Sequence, residues 1–166
     1  MLLLIDACFW SHCRELHDAK IWDLRDILQS FSWGYTKQVF QEINDHQLDD
    51  YVPDNAGMII EVRKVEMEQL YAMDPIAATF DEADQSLIVI GKREDGLVLT
   101  DDWVLAEECK GLNVSALRLP EFMLNLVAIG IIEKTILYRA LRFWDSKGRF
   151  QTKEIRRLKK FLQALK

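Results

Sequence analysis

The sequence has little of what marks disulfide-rich, repetitive or multidomain proteins. Its 166 residues include only three cysteines, Cys8, Cys13 and Cys109. Because they are odd in number and form no Cys-x-x-Cys pair, they are typical of reduced thiols rather than of a disulfide framework. No Gly/Ser/Pro-rich linker and no internal repeat divides the chain. We therefore expect one domain over residues 1–166.

Long apolar runs are also missing. Met1–Ile5 is followed at once by Asp6 and lacks a basic stretch, which argues against a signal peptide. The apolar stretch Phe122–Ile132 is much shorter than the roughly 20 residues that a bilayer span needs. Together with the reduced cysteines, these absences predict a cytoplasmic protein that has no contact with a membrane.

The charged residues are distributed unevenly along the chain. The net charge is −6, yet residues 139–166 hold ten basic side chains against two acidic ones. The remaining residues hold eleven basic side chains against twenty-five acidic ones. An acidic body with a basic C-terminal segment would repel a polyanion unless metal ions lie on the body.

Apolar periodicity predicts alternating strands and helices. Predicted strands are Leu2–Ile5, Gly57–Val62 after a turn over Pro53–Gly57, Leu97–Thr100 and a short last strand at 112–115. Predicted helices are 16–28, 36–44, 65–73, 82–93, 103–109, 119–142 and 152–165. This order predicts an α/β fold of three layers, α/β/α, with a mainly parallel central sheet and additional C-terminal helices. Ligands of such sheets collect at the carboxyl ends of the strands.

Acidic residues occur at the positions where such a ligand would bind. Asp6 directly follows the first strand, and the pair Asp101 and Asp102 directly follows Thr100. Carboxylates at the ends of neighbouring parallel strands repel each other unless a cation lies between them. This placement makes a divalent metal ion the natural counter-ion.

Two more acids lie on the apolar sides of predicted helices. Asp84 begins an otherwise apolar helix, and Glu42 flanks the apolar pair Val39 and Ile43. Such positions are unusual for a charge that is simply solvated. Four carboxylates of this kind could hold Mg²⁺ or Mn²⁺ through oxygen ligands and leave other metal positions for water and a phosphate group.

This order of features resembles the PIN-domain nucleases. The resemblance covers about residues 1–115, from the apolar strand with Asp6 to the Thr-x-Asp motif at Thr100–Asp102. The segment Asp81–Asp84 is similar to a Gly-Glu-Ala-Glu variant of one prokaryotic, toxin-like branch. In that branch the domain continues into a helical extension, which corresponds here to residues 116–166.

The resemblance implies a metal-dependent endoribonuclease that uses Mg²⁺ or Mn²⁺. It implies an acidic quartet of Asp6, Glu42, Asp84 and Asp102, with Glu82 and Asp101 as substitutes for the last two. Many small PIN proteins are toxins that a cognate antitoxin inhibits, and many form homodimers. The expected partners are therefore RNA, an antitoxin protein and a second copy of the chain.

The chain departs from the family pattern at two places. Ala7 and Cys8 stand where the family usually has Ser, Thr or Asn, so we expect a hydrogen bond to Asp6 to be missing. Trp103 stands where many relatives carry a basic residue. Because all four acidic positions are filled, we expect an active enzyme.

Two other functions share parts of this pattern. A PIN-like module that binds RNA or a protein without cutting is the main alternative, and loss of metal binding would identify it. An aspartate phosphatase or phospho-acceptor domain also uses an Asp after its first strand and Mg²⁺. The phosphatase motif requires a second Asp at the position of Cys8, and no partnering Lys follows a late strand, so the sequence argues against this class.

Overall fold

The computed structural model describes residues 1–53 and 57–165. In these ranges five strands form one all-parallel sheet that is flanked by helices, so the predicted three-layer α/β/α class is confirmed. The strands, in the spatial order β3-β2-β1-β4-β5, are β1 (Leu2–Ile5), β2 (Ser32–Thr36), β3 (Met58–Ile60), β4 (Leu97–Leu99) and β5 (Ser115–Leu117).

Most helices are preceded by a cap residue of extended backbone. Two such residues, Thr36 and Asp81, cap their helices by accepting hydrogen bonds from backbone N–H groups three residues on, at 3.2 and 2.9 Å. The helices are α1 (Ala7–Asp18), α2 (Arg25–Leu28), α3 (Lys37–Asp45), α4 (Lys64–Met73), α5 (Glu82–Arg93), α6 (Trp103–Gly111), α7 (Leu119–Ala128), α8 (Lys134–Lys147) and α9 (Thr152–Ala164), with a 3-10 turn at Ala77–Thr79.

The core centres on β1 and β4, which pair directly with each other. Leu3, Leu4 and Ile5 are fully buried, as expected of a strand that is covered on both faces. Each such side chain stabilises the fold by roughly 1.5–3 kcal/mol. The buried side chains of α7, α8 and α9 belong to the same hydrophobic cluster, and among them Trp144 packs edge-on against Phe150. The C-terminal helices are thus packed against the sheet.

The first predicted helix was wrong. Instead of spanning 16–28, α1 begins at Ala7 and ends at Asp18, and Lys20 has a positive φ of 54° that ends helical geometry. The strand β2 was missed altogether. Its Gly34 is required, because a Cβ atom there would lie 2.4 Å from the Met58 carbonyl oxygen of β3.

The C-terminal predictions also need correction. The helix predicted over 119–142 is two helices, because Gly130 adopts a positive φ of 77° between α7 and α8. The last strand is Ser115–Leu117 rather than 112–115, since Asn113 has a φ of 60° that no strand accommodates. The turn predicted at Pro53–Gly57 lies mostly outside the described residues. Among helices in the described ranges, none is both long and apolar enough to cross a membrane.

Candidate active site

The carboxyl ends of the two central strands meet at one edge of the sheet. Ile5 of β1 pairs with Leu99 of β4, so Asp6 and Thr100 emerge side by side. The backbone N–H of Asp6 donates to the Leu99 carbonyl at 3.0 Å and fixes this arrangement. A cavity of about 290 Å³ opens at this edge. It lies where ligands of parallel α/β sheets bind.

Five carboxylates line this cavity, which we call the acidic cavity. They come from separate parts of the chain, and four of them are the quartet that the sequence predicted. The fifth, Asp81, was missed. Among the described residues that line the cavity there is no lysine or arginine, and the full set is Asp6, Ala7, Cys8, Ser11, His12, Glu42, His46, Asp81, Asp84 and Asp102.

Burial and repulsion raise the pKa values of three of these acids, Asp6, Glu42 and Asp84. Burial raises the pKa of Asp84 to about 8, and repulsion from Asp6, Asp81, Asp102 and Glu42 contributes. Burial likewise raises the pKa of the half-buried Glu42 to about 7, with further repulsion from Asp6 and Asp81. Glu42 and Asp84 therefore both feel the negative charge of the neighbouring acids. A cation placed among them would relieve this repulsion.

Asp6 is the most deeply held of these acids. It is 4% exposed, and its Oδ2 accepts hydrogen bonds from Cys8 Sγ and from Thr100 Oγ1, both at 2.7 Å. Burial raises the pKa of the Cys8 thiol, which therefore stays protonated and can donate. The expectation that a hydrogen bond to Asp6 would be missing is thus wrong, because Cys8 supplies one. Neither of these bonds uses Oδ1.

Asp81 and Asp102 each cap a helix as well as line the acidic cavity. Asp102 Oδ1 accepts from the backbone N–H groups of Val104 at 2.6 Å and Leu105 at 3.0 Å. Asp81 Oδ1 accepts from the Asp84 N–H. In each carboxylate the cap engages one oxygen and leaves the other. The N-cap position of Asp81, three residues before Asp84, was the signal from which its presence here could have been inferred.

Asp101 and Glu82, the proposed substitutes, do not line the acidic cavity. The Asp101 side chain is 1% exposed, and its Oδ2 lies 2.6 Å from His12 Nδ1. Its Oδ1 accepts from the Leu119 N–H at 2.8 Å, which ties the start of α7 to the sheet edge. Glu82 lines a neighbouring cavity beside α3. This geometry favours Asp102 over Asp101 as the fourth acid of the site.

Replacing Asp101 by alanine is expected to lower the free energy of unfolding by about 1–3 kcal/mol, because the buried Leu119 N–H would lose its acceptor. The matched change Asp102→Asn should leave metal-free stability nearly unchanged, since asparagine caps a helix about as well as aspartate. Urea unfolding of the two variants measures both effects. Equal stability of Asp101→Ala and the parent chain would contradict the structural role.

The donor set fits a hydrated hard cation. Among the described residues, no three His, Cys, Asp or Glu side chains are arranged so that they could hold a metal ion together. Mg²⁺, however, is usually held by one or two carboxylates and keeps several of its waters. Carboxylate oxygens are the ligands that suit Mg²⁺ and Mn²⁺. The acidic cavity therefore fits an ion that is held by a pair of carboxylates and by water.

Comparison of the chain with protein-family models, with curated proteins and with solved structures gives no match in any of the three. The resemblance to PIN-domain nucleases thus rests on the residue pattern alone and stays a prediction. What the structure adds is the geometry of the acidic cavity.

Proposed function

We propose that this chain is a divalent-metal-dependent endoribonuclease of the PIN type. The observation that carries the proposal is the meeting of Asp6, Glu42, Asp84 and Asp102 in one cavity, where burial and repulsion raise the pKa values of two of them to about 7 and 8. Such a site is costly for the fold unless a cation compensates it. Perturbed acids in a cleft are characteristic of catalytic centres.

The four acids of the quartet would have different roles in metal binding. Asp6 and Asp84 would hold the ion as a pair, and Asp102 and Glu42 would face its waters across the acidic cavity. When bound, the ion would supply a coordinated water of lowered pKa and neutralise charge that develops on the phosphoryl oxygens. Glu42 and Asp84 hold protons near neutral pH and would release them as the cation enters. Cys8 and Thr100 orient Asp6.

RNA is the substrate that we propose, by way of the PIN resemblance. The acidic cavity repels a polyanion until it holds a cation, while the basic segment 139–166 can add phosphate contacts that do not depend on sequence. The same resemblance extends the proposal to a cytoplasmic toxin that forms a homodimer and is inhibited by an antitoxin protein.

Titration of Mn²⁺ and of Mg²⁺ into the full chain by calorimetry, with cleavage of a mixed RNA pool followed in the same samples, tests the function. We expect binding of at least one ion and RNA cleavage that EDTA abolishes. Absence of metal binding would overturn the proposed nuclease function. It would instead favour a PIN-like module that binds RNA or a protein without cutting.

Thr100→Val should weaken Mn²⁺ binding by about 10- to 100-fold, because the fully buried hydroxyl that orients Asp6 would be lost while the shape of the side chain is kept. Thr100→Ser keeps the hydroxyl and should bind Mn²⁺ nearly as well as the parent chain. Calorimetry measures both affinities. An unchanged affinity in Thr100→Val would show that this hydrogen bond does not prepare Asp6 for a metal.

A further inference from the structure

A second cleft, of about 500 Å³, lies beside the acidic cavity between α6 and the start of α9. Asp102 and Trp103 are consecutive residues, and the first lines the cavity while the second lines the cleft. The ring of His12 in the cavity packs edge-on against Phe150 in the cleft, with 6.1 Å between centroids. The two sites therefore adjoin along one edge of the molecule.

Trp103 is the exposed tryptophan of this chain. Its exposed fraction is 62%, whereas the other four tryptophans are at most 8% exposed. Packing does not account for an indole ring left in solvent at the first residue of α6. An exposed aromatic ring beside a site for phosphodiesters can serve as a platform on which a nucleobase stacks.

Basic side chains predominate in the cleft. Arg118 pairs with Glu154 at 2.9 Å and lies 4.9 Å above the ring of Phe150, which keeps its guanidinium in place. Lys153 is exposed and makes no ion pair within the described ranges of the chain. The cleft is lined by five basic residues, Lys110, Arg118, Arg149, Lys153 and Arg157, and by three acidic ones, Glu107, Glu121 and Glu154. The four basic residues other than Lys153 each pair with a glutamate, so the unpaired positive charge of the cleft is that of Lys153, next to a cavity whose described lining has five carboxylates and no lysine or arginine.

We propose that this cleft, which we call the basic cleft, binds the single-stranded nucleic acid that leads into the acidic cavity, with Trp103 stacking on an unpaired base and Lys153 contacting a phosphate. The proposal rests on the proposed nuclease function, because it names the form of the substrate. A single strand is favoured over a duplex since the bases of a duplex stack on one another and offer no free face to an indole ring.

The test measures binding of the full chain to a short fluorescein-labelled oligo-uridine RNA in EDTA, by fluorescence anisotropy. Trp103→Ala is expected to weaken binding about tenfold, the loss typical of one stacked base. It should also remove the quenching of tryptophan fluorescence by the RNA. Lys153→Ala should reduce the slope of log affinity against log salt concentration by about one.

Lys64→Ala is the matched control. Lys64 is 91% exposed and begins α4, which follows β3 at the opposite end of the sheet from β5. The RNA affinity of Lys64→Ala should equal that of the parent chain. Three results would each overturn the proposal that the basic cleft binds single-stranded RNA. They are unchanged affinity in Trp103→Ala, equal binding of a duplex of the same length, and no RNA binding by the parent chain. The third result is expected if the cleft binds a protein instead.

The outcomes also separate the basic cleft from the nuclease. One result is RNA binding that depends on Trp103 while no metal supports cleavage. That result would support the basic cleft as an RNA-binding site and contradict the proposed nuclease reaction. Cleavage that requires Asp6 but is unaffected by changes at Trp103 and Lys153 would support the nuclease reaction and contradict RNA binding in the basic cleft.

Discussion

Asp6→Asn is expected to reduce metal-dependent RNA cleavage on the order of 10³-fold, since loss of several kcal/mol of electrostatic stabilisation by a correctly held ion has that effect on a rate. The fold should survive, because asparagine has the same shape and can still accept from Cys8 and Thr100. Calorimetry should show that Mn²⁺ binding is lost together with activity. RNA binding in EDTA should persist.

Asp49→Asn provides the charge-matched control for this change. Asp49 is exposed and does not line the acidic cavity. Its cleavage rate should equal that of the parent chain. Full activity in Asp6→Asn would remove Asp6 from the mechanism and with it the proposed quartet.

Asp84→Asn is expected to stabilise the metal-free protein at pH 8. The folded pKa of Asp84 is about 8, above its ordinary value of 3.8, so between these values the folded chain retains a proton that the unfolded chain has lost. The contribution of Asp84 to stability is therefore present at low pH and declines as the pH rises to about 8. Because this side chain is partly exposed, solvent screening limits the effect to about 2 kcal/mol.

Thermal melting at pH 5 and pH 8 in EDTA measures this change. The parent chain should lose stability toward pH 8, and Asp84→Asn should lose less, with a melting temperature about 5 °C above that of the parent at pH 8. Mn²⁺ should reverse the order, since an ion at 100 times its dissociation constant adds about 2.7 kcal/mol to the chain that binds it. A variant that is less stable than the parent at pH 8 without metal would contradict the repulsion described here.

The elements with a strong local signal could be predicted from the sequence. The uninterrupted aliphatic run Leu2–Ile5 identified a central strand, and α5 begins and ends where its apolar spacing indicated. The strand β2 was missed because its sequence, Ser32-Trp-Gly-Tyr-Thr36, is short and contains a glycine that only the close approach of β3 explains. The break at Gly130 was hidden by apolar residues on both sides.

The site residues that directly follow strands could be predicted from the sequence. Asp6 and Asp102 follow strands that proved to be neighbours, which places them together. The choice between Asp101 and Asp102 could not be made from a doublet, because it depends on His12 and on the Leu119 N–H, which approach from distant parts of the chain. The local spacing of residues in the sequence does not indicate long-range contacts of this kind.

The position of β1 between β2 and β4 has a consequence for the growing chain. Asp6 and Glu42 leave the ribosome before their partner at residue 102, which follows β4, and β4 must close against β1 across 94 residues, from Leu3 to Leu97. Pairings at such sequence separation form late, because the entropy of loop closure must be overcome first. A nascent chain therefore carries scattered, separately solvated acids, and their concentrated negative charge arises only once folding is nearly complete.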